Sequence, residues 1–477
     1  MSSYGSIYGV AAPIEDRTIS AVPSDERYGD VRDLFSFWFA PNVTLLAVVN
    51  GALATAVYGL PFWLAAVGLV TGNLIGGAAL ALHSVQGTRV GEPQLAAARA
   101  QFGSLGALGV AACVAVISVG FLAVNLVLAG QSVNTLSAHI TATGTIIAVA
   151  AVSALLAVFG YDVMHSAAWL LSWIGGLVLL LAFVWVIAAG HLATGVWQSG
   201  QVSIVGFAGA VSVAVLWQIS YTPYAADFSR YLPAATPARR TFLASFLGTC
   251  AGSIAAMLLG ALVGVQSSDV LGGFITLAHG SSIMVVAAFT VCLAIASSVN
   301  VYGGAMSVLT IGQALAPRWR PRAGSRAVLA LIIAALAALG AVYGGSGFLI
   351  GFTNIVVLAM YVLVPWTAVN LVGYFFIDGG RTEIADPADS EGTADGEGTG
   401  HGRVRWAAAG CLLAGIAAEA LFVKTPAFTG PAATALGGAD IAWLVGGAVV
   451  APLYYLAARP RKIVTAVEPK ITAAVAS

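Results

Sequence analysis

Phe39-Ala40-Pro41-Asn42-Val43-Thr44 interrupts the first long apolar stretch of this chain, and Tyr221-Thr222-Pro223-Tyr224-Ala225-Ala226-Asp227 interrupts the sixth. In lipid a broken helix frees carbonyls and amides, which are tolerated only where they line a cavity or bind something. Breaks at corresponding places in two halves of a chain are the sequence mark of a secondary transporter's binding site. A proline kink in a packing helix would explain either break alone. The pairing is what points to a site.

The composition agrees with a lipid environment. The chain has 477 residues, of which 59% are hydrophobic and 8% charged. Its mean hydropathy is +0.92. Soluble proteins carry roughly 25% charged residues, so this is an integral membrane protein of the all-α class. Twelve transmembrane spans are expected, at about 33–58, 61–82, 104–131, 142–160, 167–190, 204–227, 242–266, 282–312, 326–344, 347–376, 404–423 and 440–458. The formal net charge of zero gives no sign of a nucleic-acid partner. Cys113, Cys250, Cys292 and Cys411 lie in apolar segments without CxxC spacing and read as packing residues.

Residues 1–32 carry Asp16, Arg17, Asp25, Glu26, Arg27, Asp30 and Arg32 ahead of any apolar run, unlike a signal peptide. They are expected to stay in the cytoplasm, partly disordered. That orientation puts residues 83–103, 161–166, 228–241, 313–325, 377–403 and the C-terminal tail inside. Of the 20 Lys and Arg residues 19 then lie inside and only Lys424 lies outside, as the positive-inside rule requires. The clusters Arg89/Arg99, Arg230/Arg239/Arg240 and Arg318/Arg320/Arg322/Arg326 read as topology determinants at the inner surface.

The acidic, Gly-rich stretch 377–403 reads as a flexible cytoplasmic linker. It separates a ten-helix core (33–376) from a two-helix appendage (404–458) and a tail (459–477). Five helices per half force the second half to insert upside down, the condition for an inverted repeat of about 33–190 and 204–376.

Four places could carry chemistry. Pro41 leaves carbonyls near Ala40 unpaired, able to hold a cation, with Asn42 and Thr44 beside them for a polar solute. In the eighth span Ser297 and Ser298 add two hydroxyl oxygens one turn after the Ala294 carbonyl, a neutral oxygen set suited to a monovalent ion. Phe121 and Asn125 share a helix face by their i, i+4 spacing. Trp217, Gln218 and Ser220 precede the sixth-span break. Two aromatics with amides beside them suit a flat heterocycle, stacked on its faces and read at its edge. Ionisable groups are nearly missing from the middle of the first ten spans, which favours sodium over a proton as coupling ion, although Asp227 keeps the proton open.

Tyr224-Ala225-Ala226-Asp227-Phe228-Ser229-Arg230-Tyr231-Leu232-Pro233 resembles the sixth-helix signature of the nucleobase:cation symporter family. Trp38-Phe39-Ala40-Pro41-Asn42, Asn300-Val301-Tyr302-Gly303-Gly304-Ala305 and Pro365-Trp366-Thr367-Ala368-Val369-Asn370-Leu371-Val372 resemble it too, as does the loop from Gly87 to Gly106. The resemblance covers residues 33–376. It implies a LeuT-type five-plus-five fold working by alternating access. It also implies a sodium site made by Ala40, Val43, Ala294, Ser297 and Ser298, and a substrate ring held between Phe121 and Trp217. Asn42, Thr44, Asn125 and Gln218 would meet the ring's polar edge. Relatives commonly have Trp where Phe121 stands and Asp where Gly373 stands.

The expectation is an inner-membrane transporter importing a nucleobase or related heterocycle by cation symport, with no cofactor, no nucleic acid and no obligate protein partner. The rivals are a proton-coupled transporter of the same fold for an amino acid or vitamin precursor, and a non-transporting sensor. A membrane enzyme would need a catalytic constellation, and His83, His139, His165, His191, His279 and His401 all fall at expected helix ends or in loops.

Overall fold

The computed structural model describes residues 14–136, 139–188, 195–267, 269, 272–273, 282–380 and 404–458. Most of the acidic linker, the tail, and His191, His279 and His401 lie outside the described residues.

The first span is two helices, α1 (Val31–Phe39) and α2 (Leu45–Ala52), joined by a 3-10 turn at Ala40–Asn42 and bent by 60°. Pro41 supplies no amide to prolong α1. Asp30 caps α1 by accepting from Arg32 N, and Thr44 caps α2 by accepting from Ala47 N. Next come α3 (Phe62–Val90), the short α4 (Gln94–Ala97) and α5 (Arg99–Phe102), α6 (Leu108–Leu136), α7 (Ala142–Phe159) and α8 (Tyr161–Ala188). The sixth span is α9 (Ile204–Ile219) and α10 (Ala225–Ser229) around a 3-10 turn at Thr222–Tyr224. Then come α11 (Ala238–Gly264), α12 (Ser282–Leu315), α13 (Ala323–Tyr343) and α14 (Gly345–Val372), which runs on through a π turn at Gly373–Ile377. The chain closes with α15 (Trp406–Phe422), α16 (Pro431–Ala435) and α17 (Ala442–Ala458). Among the described residues nine helices, and a tenth if α1 and α2 count as one, are long and apolar enough to cross a membrane. The eleventh and twelfth expected spans are the shorter α15 and α17, of 17 residues each.

The two breaks differ. The sixth span is not bent as the first is, and it crosses from Ile204 to Ser229 as one segment. Pro223 sits at the start of a 3-10 turn, where its missing amide is harmless. Thr222 Oγ1 donates back to Ile219 O at 2.7 Å, which ties the turn to the last residue of α9. The expected loop at 161–166 is absent: Gly160, at φ +86°, turns the chain in one residue between α7 and α8. Likewise α3 runs eight residues past its expected end, stopping where Gly91 takes φ +78°.

The first span lies in a seam along α11. Gly248, Gly252, Ala256, Gly260 and Gly264 recur every four residues. A Cβ on Gly248 would strike Phe35 O, one on Gly252 would strike Phe39 O, and one on Gly260 would strike Val48 O. At Gly264 it would lie 2.6 Å from Thr55 Oγ1, and from the other side Gly51 meets the backbone of Met257. Small residues at this spacing let two membrane helices touch backbone to backbone. Gly260→Val should therefore cost about 1–3 kcal/mol or more by overpacking. The expected result is a clear fall in melting temperature in detergent, with a matching loss of monodisperse protein.

Residues 14–30 depart from the expected disorder. Thr18, Ile19 and Val22 are buried against the Arg-rich end of the bundle. Arg230 and Arg326, read from sequence as surface topology charges, are fully buried there. His83 and His165 lie within α3 and α8 rather than at loose ends. Each is buried, donates from Nδ1 to the carbonyl four residues earlier, and stacks, on Trp366 and Phe37 respectively. These are packing roles.

Candidate functional site

The 3-10 turn of the first span, the end of α9 and the middle of α6 and α12 supply the candidate site. Asn42 is fully buried and used on both sides: Nδ2 donates to Trp38 O at 2.7 Å and Thr249 Oγ1 at 3.1 Å, and Oδ1 accepts from Trp217 Nε1 at 2.7 Å. The broken span thus fixes the Trp217 indole. Ser220 Oγ donates to Trp217 O at 2.6 Å, a local bond that steadies the last turn of α9.

Phe121 faces Trp217 with ring centroids 6.2 Å apart and planes at 87°. The pair meets edge to face, so a flat ring stacked between them requires one ring to turn. One helical turn from Phe121, Asn125 is buried and its Oδ1 has no partner among the described residues. An unpaired buried carbonyl is costly unless something donates to it. The arrangement is therefore an aromatic pair with an open acceptor beside it. Tyr221 joins this cluster, its ring 5.8 Å from Trp217 and 6.0 Å from Trp38.

Gln218 has another task. Its Nε2 donates to Asn73 Oδ1 at 2.9 Å and Ser253 Oγ at 2.8 Å, while Oε1 accepts from Thr249 Oγ1 at 2.6 Å. Both ends of the amide are engaged, and they tie α9 to α3 and α11. Thr44 is likewise occupied as the cap of α2. Gln218→Ala would leave Asn73, Thr249 and Ser253 short of partners, at about 1–3 kcal/mol. It should lower the melting temperature more than it lowers ligand affinity, the reverse of a binding residue. The sequence signal for this network was present in Asn73 and in Thr249 and Ser253, isolated polar residues in apolar helices, the last two at i, i+4.

The candidate ion site lies where α12 passes the 3-10 turn. Gly175 of α8 makes the room: a Cβ there would lie 3.1 Å from Cys292 Sγ and 3.2 Å from Val43 Cγ1. Ala294 O accepts from Ser153 Oγ at 3.1 Å, Ser298 Oγ donates to Ile295 O at 2.7 Å, and Ala40 O accepts from Val43 N at 3.1 Å. Ser297 is different. It is fully buried and its Oγ has no partner among the described residues. A hydroxyl left open inside a membrane bundle fits an oxygen ligand for a cation. Each carbonyl also keeps a second lone pair.

Toward the Arg-rich end, Asp227 is buried and accepts from Gln94 N at 2.7 Å. Gln94 reaches Gln86, and Asn370 donates to Gln101 Oε1 at 3.2 Å. Here the Gly373 departure finds its reason: a Cβ at 373 would lie 2.6 Å from Gln101 Cγ, so the glutamine takes the space a side chain would need.

Residues 21–446 match the family described as permease for cytosine/purines, uracil, thiamine, allantoin. A Bacillus subtilis (strain 168) protein, YxlA, carries the provisional name purine-cytosine permease. It is 35% identical over 456 residues, 94% of this chain and 96% of that protein. The purine-cytosine permease fcyB of Emericella nidulans is 28% identical over 297 residues, 60% of this chain and 57% of fcyB. Among solved structures, Mhp1, a nucleobase-cation-symport-1 family transporter in a closed conformation with bromovinylhydantoin bound, superposes with a TM-score of 0.72. It is 17% identical, over 92% of this chain and 94% of that one. A Na+-coupled sialic acid symporter superposes at 0.58 with 12% identity, over 91% of each chain. The fold is therefore the LeuT-type arrangement of a multi-pass membrane transporter, and its relatives are permeases rather than enzymes. The chain belongs to the family of permeases for cytosine and purines, uracil, thiamine and allantoin.

Proposed function

We propose that this permease imports a nucleobase of the cytosine or purine type, or a closely related flat heterocycle, by symport with sodium. The observation that carries the reading is the Phe121–Trp217 pair, with Trp217 fixed by Asn42 and the open Asn125 acceptor beside it. Once one of the two rings has turned, a nucleobase offers a π-face to each, with ring N–H or amino donors to the Asn125 carbonyl. Asn42, Thr44 and Ser220 hold that pocket in shape, and Gln218 braces it from behind. The names of the relatives, purine-cytosine permeases from a bacterium and a fungus, support the same substrate class.

Sodium is assigned to Ala40, Val43, Ala294, Ser297 and Ser298, on the strength of the open Ser297 hydroxyl between carbonyl-bearing segments. The ion would favour the outward-open state that accepts substrate, and rocking of the two repeats would release both inside. The positive-inside rule supports a cell-membrane orientation with both termini in the cytoplasm. A proton-coupled version has one observation in its favour, the buried Asp227 carboxylate.

Uptake of labelled cytosine, adenine, hypoxanthine, uracil and allantoin into proteoliposomes tests the proposal, with inward sodium and inward proton gradients compared. Accumulation of at least one nucleobase driven by sodium is expected. Accumulation driven only by protons would remove the ion assignment and move attention to Asp227. No accumulation of any ring would remove the substrate class.

A further inference from the structure

The N-terminal segment is bonded into both halves of the bundle at its Arg-rich end. Glu15 is the centre. Its Oε1 accepts from Arg230 Nη2 at 2.7 Å, Tyr231 Oη at 2.6 Å and Tyr302 Oη at 3.0 Å. Its Oε2 takes Arg326 Nη1 at 2.7 Å and the Tyr161 amide at 3.1 Å. Burial by itself would raise this carboxyl, but Arg326 and then Arg230, with the Tyr231 and Tyr161 hydrogen bonds, hold it below the ordinary glutamate range. The carboxylate is therefore charged at neutral pH.

The backbone around Glu15 is held as tightly. Glu15 N donates to Phe159 O at 3.0 Å, and Arg326 Nη2 donates to Glu15 O at 2.9 Å and Val158 O at 3.2 Å. Arg230 Nη1 donates to Thr18 O at 2.6 Å, and Thr18 Oγ1 donates to Pro321 O at 2.8 Å. Farther along, Arg27 reaches Thr88 O at 2.8 Å and Val90 O at 3.2 Å, and Gly29 N donates to Tyr231 O at 2.9 Å.

One strand of chain therefore joins α3, α7 and α8 of the first half to the end of α10, α12 and α13 of the second. If the two halves rock apart at this end, they cannot all keep these bonds. Separation would leave Arg230 and Arg326 buried without their counter-ion, and a buried charge that loses its partner is strongly destabilising. A cavity of about 300 Å³, wide enough for water, lies beside Glu15 between Arg17, Glu26, Tyr28 and Asp162. The ion triad can be hydrated from that side as it separates.

We propose that residues 14–30 form a latch across the cytoplasmic mouth, closed by the Glu15–Arg230–Arg326 triad, which must release before the permease opens inward. The latch holds the inner gate shut while substrate and ion load from outside. It rests on the alternating-access reading of the previous section, not on the identity of the substrate or the ion.

The test is thiol accessibility in the full chain with Cys113, Cys250, Cys292 and Cys411 replaced. Ser36→Cys reports the inner half of the broken span, where Ser36 is 8% exposed. Asn50→Cys reports the outer half. A membrane-impermeant maleimide is applied from either side, without substrate. Glu15→Gln keeps the shape of the side chain but removes the charge and leaves one acceptor oxygen in place of two. It should raise inner labelling at least fivefold and lower outer labelling. Arg326→Gln should do the same, and the double variant should exceed the stronger single variant by little, because both break one triad. A bundle that is merely loosened would raise labelling on both sides, and a segment of no consequence would change neither. Any result in which the two reporters fail to move in opposite directions overturns the latch. If Glu15→Gln does not fold, Glu15→Asp, with the charge kept one methylene short, is read in its place and should shift both reporters in the same directions by less. Failure of the nucleobase assignment would leave this measurement untouched.

Discussion

Trp217→Ala is expected to weaken nucleobase binding by roughly 100-fold and to bring uptake near background. A fully buried indole covers about 150–250 Å². One face against a ligand is a third to a half of that, worth about 2 kcal/mol as apolar contact. Stacking adds about 1 kcal/mol. The sum of about 3 kcal/mol is roughly a hundredfold in affinity. Trp217→Phe separates the two things Trp217 does. It keeps most of the ring face and loses the N–H that Asn42 Oδ1 accepts, so about tenfold or less is expected from one hydrogen bond. Equilibrium binding of labelled ligand to detergent-purified protein reads both. If the Ala and Phe variants lose affinity equally, the indole is holding the fold around Asn42 and is not stacking on ligand.

Ser297→Ala should abolish the dependence of substrate affinity on sodium while leaving the protein as stable as its parent. Couplings between two sites are worth about 1–3 kcal/mol, or 5–150-fold in affinity. Removing one oxygen of the ion site should bring that factor close to one. Stability is unaffected because Ser297 Oγ bonds to nothing among the described residues, and deleting an unpaired buried hydroxyl has no folding cost. Ser298→Ala differs, since it also removes a bond to Ile295 O. The measurement is substrate affinity across a sodium titration, paired with a melting curve. A Ser297→Ala variant that keeps full sodium dependence would move the ion elsewhere.

Sequence alone reached the architecture because lipid leaves the backbone so few choices. Long apolar runs had to be helices, and Pro41 had to break one. Helix lengths were less legible. Gly91 and Gly160 end or turn helices through positive φ, and a hydropathy window does not see a single residue of that kind. The candidate site was legible by residue type but not by direction. Trp217 and Gln218 are neighbours, so they point to different sides of α9, and only the packing of α3 and α11 shows which side Gln218 takes. Arg230 and Arg326 were the largest misreading. A positive charge near a membrane edge is usually solvated, and the partner that buries these two, Glu15, lies 215 and 311 positions away in a segment with no helical pattern of its own.

The glycine seam on α11 has a consequence for how this gene tolerates change. Where two backbones touch, every substitution of glycine adds atoms to a place that has none to give, so chemical similarity offers no shelter. Saturation mutagenesis with a growth selection should show intolerance at 248, 252, 260 and 264, and the residues between them should vary freely wherever they face lipid. The seventeen residues from 248 to 264 would then read as a comb with teeth at four-residue steps, the middle one, at Ala256, already carrying a methyl group. Most variation that survives in α11 will lie in the gaps, and the first span will be inherited with its partner surface almost unchanged.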